Sequence, residues 1–274
     1  METFIQHAMI SWATTNSTVM ALLMTGTRVN PAAVKRETDP YDFLLITRES
    51  GDTLLQEDWS AQFSEEVLQA GCVQEGKISR YRIFLANATR LNITVLTPED
   101  AKEILEKDTL AKVLYDPNGE YANRENPNDL SLRSKKPTSE EYDLWCQQFF
   151  ANITDVALAL TEEEEMLAQA ALGRAREALL AMTSAAVASD SSFHINVGSD
   201  GQNLRAYMSE VEYDHLARSY APTEKARLWD ALFQSCMLFR KAGLKLNELD
   251  DFTYPKRLDV EILRYLRKTW EETR

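Results

Sequence analysis

The sequence predicts an α+β fold in two parts, a mixed β-sheet domain with flanking helices over residues 1–136 and an all-helical domain over residues 137–274. Two observations carry this reading. Before Pro137 the apolar residues fall in short runs divided by turn residues, the pattern of strands. After it they recur at helical spacing over long stretches, with Gly173 alone among Gly and Pro before Gly198. A chain of 274 residues is long enough for two such cores.

Phe4, Ile5, Met9 and Trp12 keep helical spacing, so Thr3–Trp12 opens the chain as a short amphipathic helix. Val19–Thr25 is an apolar run of strand length, and Gly26 supplies the backbone freedom for a sharp turn after it. A polar loop containing Pro31 runs from Arg28 to Asp39, and Phe43–Ile46 is the second strand. Ser64–Ala70 reads as helix. Ile78–Leu85 and Arg90–Leu96 alternate as strands, the latter with Leu91, Ile93 and Val95 on one face and Asn92, Thr94 and Leu96 on the other.

Thr97 as N-cap, Pro98 at the first position and the acids Glu99 and Asp100 start a helix that ends near Lys107. Ala111–Tyr115 is one more strand, and Pro117–Pro137 is a long polar segment. The capping box Thr138-Ser139-Glu140-Glu141 begins a helix whose Tyr142, Trp145, Cys146, Phe149, Phe150 and Ile153 face a core. Thr161–Glu164 repeats the capping pattern for an Ala-rich helix. After a loop over Ser189–Asn203, helices at Ser209–Arg218, Thr223–Ala242 and Leu258–Thr273 complete the chain.

Thirty Lys and Arg stand against 43 Asp and Glu, giving a formal net charge of -13 and a pI near 4.8. With no basic stripe to offset that charge, a nucleic-acid partner is excluded, whereas a cationic small molecule is attracted. Cys72, Cys146 and Cys236 are widely spaced among apolar residues, which predicts buried free thiols. The N-terminus lacks a basic, then apolar leader, and no window approaches the ~20 apolar residues of a membrane helix, so the expected location is the cytoplasm, away from membranes.

The most informative stretch is Met20–Thr47, an apolar run, a Gly26-Thr27 turn, and a second apolar run entered through Asp42. Nucleotidyl transfer uses two divalent cations to bridge a triphosphate and activate a hydroxyl. Hard cations take carboxylate oxygens, so such a site carries two acids two residues apart on one strand and a third on a neighbouring strand. A Gly-Ser or Gly-Thr turn ahead of them offers backbone N–H groups and a hydroxyl to phosphate.

Read whole, the chain resembles the aminoglycoside 6-adenylyltransferase (streptomycin adenylyltransferase) family. Gly26-Thr27-Arg28-x-Asn30 is similar to the family's Gly-Ser-Arg-x-Asn turn, Tyr41-Asp42 to the end of its Asp-Tyr-Asp motif, and Leu91-Asn92-Ile93-Thr94-Val95 to its Leu-Asp-Leu-Thr-Leu. Lys112–Asp116, Pro127-Asn128-Asp129, Lys136-Pro137-Thr138, Leu238–Lys241 and Tyr254-Pro255 resemble family strings in the same order. The resemblance implies a nucleotidyltransferase domain followed by a helical one, ATP and Mg2+ as cofactors, and streptomycin as acceptor. It also implies nucleotide binding at Gly26, Thr27, Arg28 and Lys112, and metal binding at Asp42.

The departures fall on the implied catalytic positions. Pro40 occupies the place of the first metal-binding Asp and Asn92 that of the third, so Asp42 alone remains of three. Two readings follow: a degraded site with little or no AMP transfer, or an active transferase using Asp42 with Glu37 or with Asp39 as a second metal ligand. Ala171 fills a further implied acidic position, and Ser199 and Gln202 stand where the family has lysines.

Overall fold

The computed structural model describes residues 4–48, 59–249 and 251–273. The chain forms two compact units, Met1–Ser131 and Leu132–Arg274, and the α+β organisation, a mixed sheet with flanking helices and then a helical region, is the predicted one.

The first unit runs α1 (Phe4–Thr15), β1 (Val19–Thr25), β2 (Tyr41–Thr47), α2 (Trp59–Phe63), β3 (Val67–Glu75), β4 (Ile78–Leu85), β5 (Arg90–Leu96), α3 (Pro98–Lys107) and β6 (Lys112–Tyr115). Among the described residues six strands form one sheet in the order β3-β4-β5-β2-β1-β6. The β2–β5 pair is parallel and the others are antiparallel. Strand alternation separates two cores. Tyr41, Phe43 and Leu45 with Leu91, Ile93 and Val95 pack against Ile5, Met9 and Trp12 of α1 and Trp59 and Phe63 of α2. Leu44, Ile46 and Leu96 pack with Ala21 and Leu23 against Ala101 and Leu105 of α3. The α3 start is as expected: Thr97 accepts from the Asp100 N–H and Pro98 occupies the first turn.

Around β3 the chain differs from expectation. Ser64–Ala70 is not helical; from Val67 the chain is strand β3, joined to β4 by a turn in which Gly76 has φ +63°. Pairing with β4 sets its conformation. Its side chains are largely exposed, so no buried alternation marked it in the sequence.

The second unit comprises α4 (Ser139–Thr161), α5 (Glu165–Ser189), α6 (Glu210–Arg218), α7 (Lys225–Asn247) and α8 (Lys256–Thr273). The predicted capping box at Thr138 and Glu141 is formed. Phe149 and Phe239 stack with centroids 3.8 Å apart, and Ala168, Ala171, Ala175 and Ala178 are buried among the same helices. Thr161, however, caps nothing: it ends α4, its hydroxyl donating to the Ala157 carbonyl, and α5 starts at Glu165 with no side-chain cap. Burial of Val156, Ala157, Ala159 and Leu160 carries α4 through the expected break. Glu162 to Glu164 form the exposed connection rather than a helical first turn. Cys146 and Cys236 are buried, Cys72 half-buried, and all three are free. Among the described residues no helix is long and apolar enough to cross a membrane.

Candidate functional site

Asp42 enters the sheet one residue after β2 begins, and alternation turns it to the α3 side with Leu44 and Ile46. Parallel pairing sets Asn92 directly across from it on β5. Antiparallel pairing sets Thr25 of β1 across from Asp42 on the other side, and Arg82 of β4 across from Asn92. Side chains directly opposite share a face at about 4.5–5.5 Å between Cβ atoms. The fold therefore builds a polar row, Arg82–Asn92–Asp42–Thr25, over four strands.

Within that row Asn92 Nδ2 donates to Asp42 Oδ1 at 2.7 Å. Burial pushes the half-buried Asp42 carboxyl above its ordinary range, against the Asn92 hydrogen bond and the positive charges of Arg28 and Arg90. Gly26 follows β1 with φ +75°, and a Cβ there would fall 2.4 Å from Asp42 Oδ2. The Gly26 turn thus closes directly over the carboxylate. Thr25 Oγ1 donates to Asp108 Oδ2 at 2.9 Å.

The loop before Asp42 is organised by Arg28. Its Nε donates to the Asp39 and Pro40 carbonyls at 3.0 and 3.2 Å, and its Nη2 to the Glu37 and Asp39 carbonyls at 2.8 and 2.6 Å. The same guanidinium lies 3.8 Å from the Tyr41 ring centroid. Arg90 Nη2 holds the Thr38 carbonyl at 2.7 Å. Asn30, 5% exposed, accepts the Ala32 N–H at 2.9 Å. The Gly-x-Arg-x-Asn motif acts here as a loop clamp: cation against carbonyl dipoles and amide against backbone.

Gly26, Arg28, Asp42 and Asn92 are thus brought together, with Thr27 half-buried in the turn. Lys112 is not with them. It pairs with Met24, which faces the α1 core, so its side chain belongs to the opposite face of the sheet. Asp39 is near in sequence, but its Oδ2 accepts the Arg36 N–H at 2.7 Å. Glu37 is exposed and reaches the cluster through its carbonyl. Ala171 is fully buried in the helical unit. Sequence reasoning missed Arg82 and Arg90, whose place depends on strand register, and Asp108, the residue that ends α3; alternation in β4 marks the face of Arg82 but not its neighbour.

A two-cation site needs several carboxylates converging on open oxygens. Among the described residues no three His, Cys, Asp or Glu side chains gather at metal-holding distances, and one Asp42 oxygen already has a donor. The residues present do not fit a pair of divalent cations.

The sequence profile of the streptomycin adenylyltransferase family matches residues 1–269. The chain is 23% identical over 265 residues to an aminoglycoside 6-adenylyltransferase of Bacillus subtilis (strain 168), covering 93% of each chain. It is 22% identical over 266 residues to one of Campylobacter jejuni, covering 94% of this chain and 91% of that one. The crystal structure of an aminoglycoside 6-adenyltransferase from Bacillus subtilis superposes with a TM-score of 0.49 at 19% identity, over 98% of this chain and 99% of that one. With the family profile spanning nearly its whole length, this chain belongs to the streptomycin adenylyltransferase family.

Proposed function

We propose that this chain is a small-molecule-binding member of its family, with little or no AMP transfer of its own. The observation that carries the reading is the Asn92–Asp42 hydrogen bond: the one retained acid accepts from an amide at the position where the family resemblance implies the third carboxylate. Pro40, at the first of the three positions, supplies no oxygen ligand from its side chain. ATP and Mg2+ belong to this chain only if transfer is retained.

Transfer through Asp42 with Asp39 or Glu37 finds no support in the geometry. Asp39 is turned onto the Arg36 backbone, and Arg28 fixes the carbonyls of both residues. A cationic aminoglycoside is the ligand class proposed, because the relatives are named for it and the net charge of -13 attracts it. Calorimetric titration with streptomycin in the absence of nucleotide tests this. Saturable heat supports a binding role, whereas no heat with streptomycin or with other aminoglycosides rules the ligand class out.

A further inference from the structure

The acids around Asp42 are held by donors of the protein itself. Asp42 Oδ1 accepts from Asn92 Nδ2 at 2.7 Å. Asp39 Oδ2 accepts from the Arg36 N–H at 2.7 Å. Asp108 Oδ1 accepts from the Leu110 N–H at 2.8 Å and its Oδ2 from Thr25 Oγ1 at 2.9 Å. Asp42 Oδ2 lies under the Gly26 turn. Arg28 and Arg90 act on Asp42 as counter-charges, and Arg82 stands beside Asn92 in the row. A dication approaching this face meets guanidinium groups and occupied oxygens, whereas its binding needs carboxylates in excess.

We propose that the Asn92 amide stands on Asp42 where a divalent cation would, so that this site keeps its shape and takes its ligand without divalent metal. The chemistry is an exchange of one charge-assisted contact for another: an N–H donor satisfies the carboxylate lone pair that a metal would otherwise take. Asn92 also removes the second negative charge, so the row needs no cation to hold its strands together. The inference deepens the binding reading and rests on it, since it states how the ligand site is held.

Mn2+ is the probe, followed by electron paramagnetic resonance on the full chain. The wild type is expected to leave the free-ion spectrum unchanged at submillimolar Mn2+. Asn92→Asp sets two carboxylates face to face and should bind Mn2+ at least about tenfold more tightly than wild type. Its melting temperature should fall without metal and recover on adding Mn2+. Asn92→Ala, lacking amide and carboxylate alike, should show no Mn2+ binding.

Mn2+ binding by the wild type that Asp42→Asn abolishes would overturn the proposal, as would a folded Asn92→Asp protein with no gain in Mn2+ affinity. If Asn92→Asp does not fold, the wild-type titration decides alone. The two readings fail separately. AMP transfer in the presence of EDTA would end the non-transferring reading and leave this one standing. Mn2+ held at Asp42 with no AMP transfer would do the reverse.

Discussion

Asp42 Oδ2 occupies the space that a side chain at position 26 would need, 2.4 Å from an ideal Cβ on Gly26. The turn and the acid are therefore one device: a backbone that only glycine adopts without strain, at φ +75°, brought down onto a carboxylate that burial already disfavours. Gly26→Ala adds left-handed strain of about 1–2 kcal/mol to a steric clash. A loss of at least about 2 kcal/mol in denaturant unfolding is expected, together with loss of ligand binding.

Asp42 itself should lower stability at neutral pH. Its folded carboxyl titrates above the unfolded one because burial penalises the charge. The folded state therefore holds its proton more tightly, and stability falls as pH rises from the unfolded value through the folded one. Asp42→Asn keeps an oxygen for the Asn92 amide and removes the charge. It should melt at or above the wild type at pH 7, by up to about 1 kcal/mol, with the advantage disappearing at acid pH.

Glu212 behaves in the opposite sense. Lys241 at 2.7 Å and Ser209, whose N–H and hydroxyl both donate to it, hold its carboxyl down to about 2. Its contribution is fully present above the ordinary carboxylate range and is lost as pH falls toward 2. Glu212→Gln should cost about 0.5–1.5 kcal/mol at pH 7, and the gap to wild type should close in acid. Lys241 is committed to this pair.

At Gly243 helix propensity and packing oppose each other. Alanine is favoured over glycine in a helix interior by about 1 kcal/mol. At this position a Cβ would lie 2.6 Å from the Tyr254 ring, whose neighbour Tyr142 donates to the Gly243 carbonyl at 2.9 Å. Overpacking of this kind costs about 1–3 kcal/mol, so Gly243→Ala should lower the melting temperature despite its better propensity.

The strands and helices that the sequence revealed are those whose apolar faces are buried or whose caps are local. Val19–Thr25 and Arg90–Leu96 alternate into two cores, and Thr97 and Thr138 cap helices through neighbours three residues on. β3 was hidden because its partner is β4 and its side chains face solvent. At the site, Asp42 and Asn92 were readable as residue types in motif positions. That they face each other follows from the parallel register of β2 and β5, which no local signal encodes. The same register arguments move Lys112 to the far face and bring in Arg82. Arg28 was legible as a motif member, while its work as a clamp on the Glu37–Pro40 carbonyls depends on how the loop folds back.

The central claim is that a carboxylate satisfied by Asn92 no longer supports AMP transfer. Mass spectrometry of streptomycin after incubation with the wild-type chain, ATP and Mg2+ tests it most directly. Unmodified streptomycin is the predicted result. An AMP adduct that forms with wild type and disappears with Asp42→Asn would contradict it.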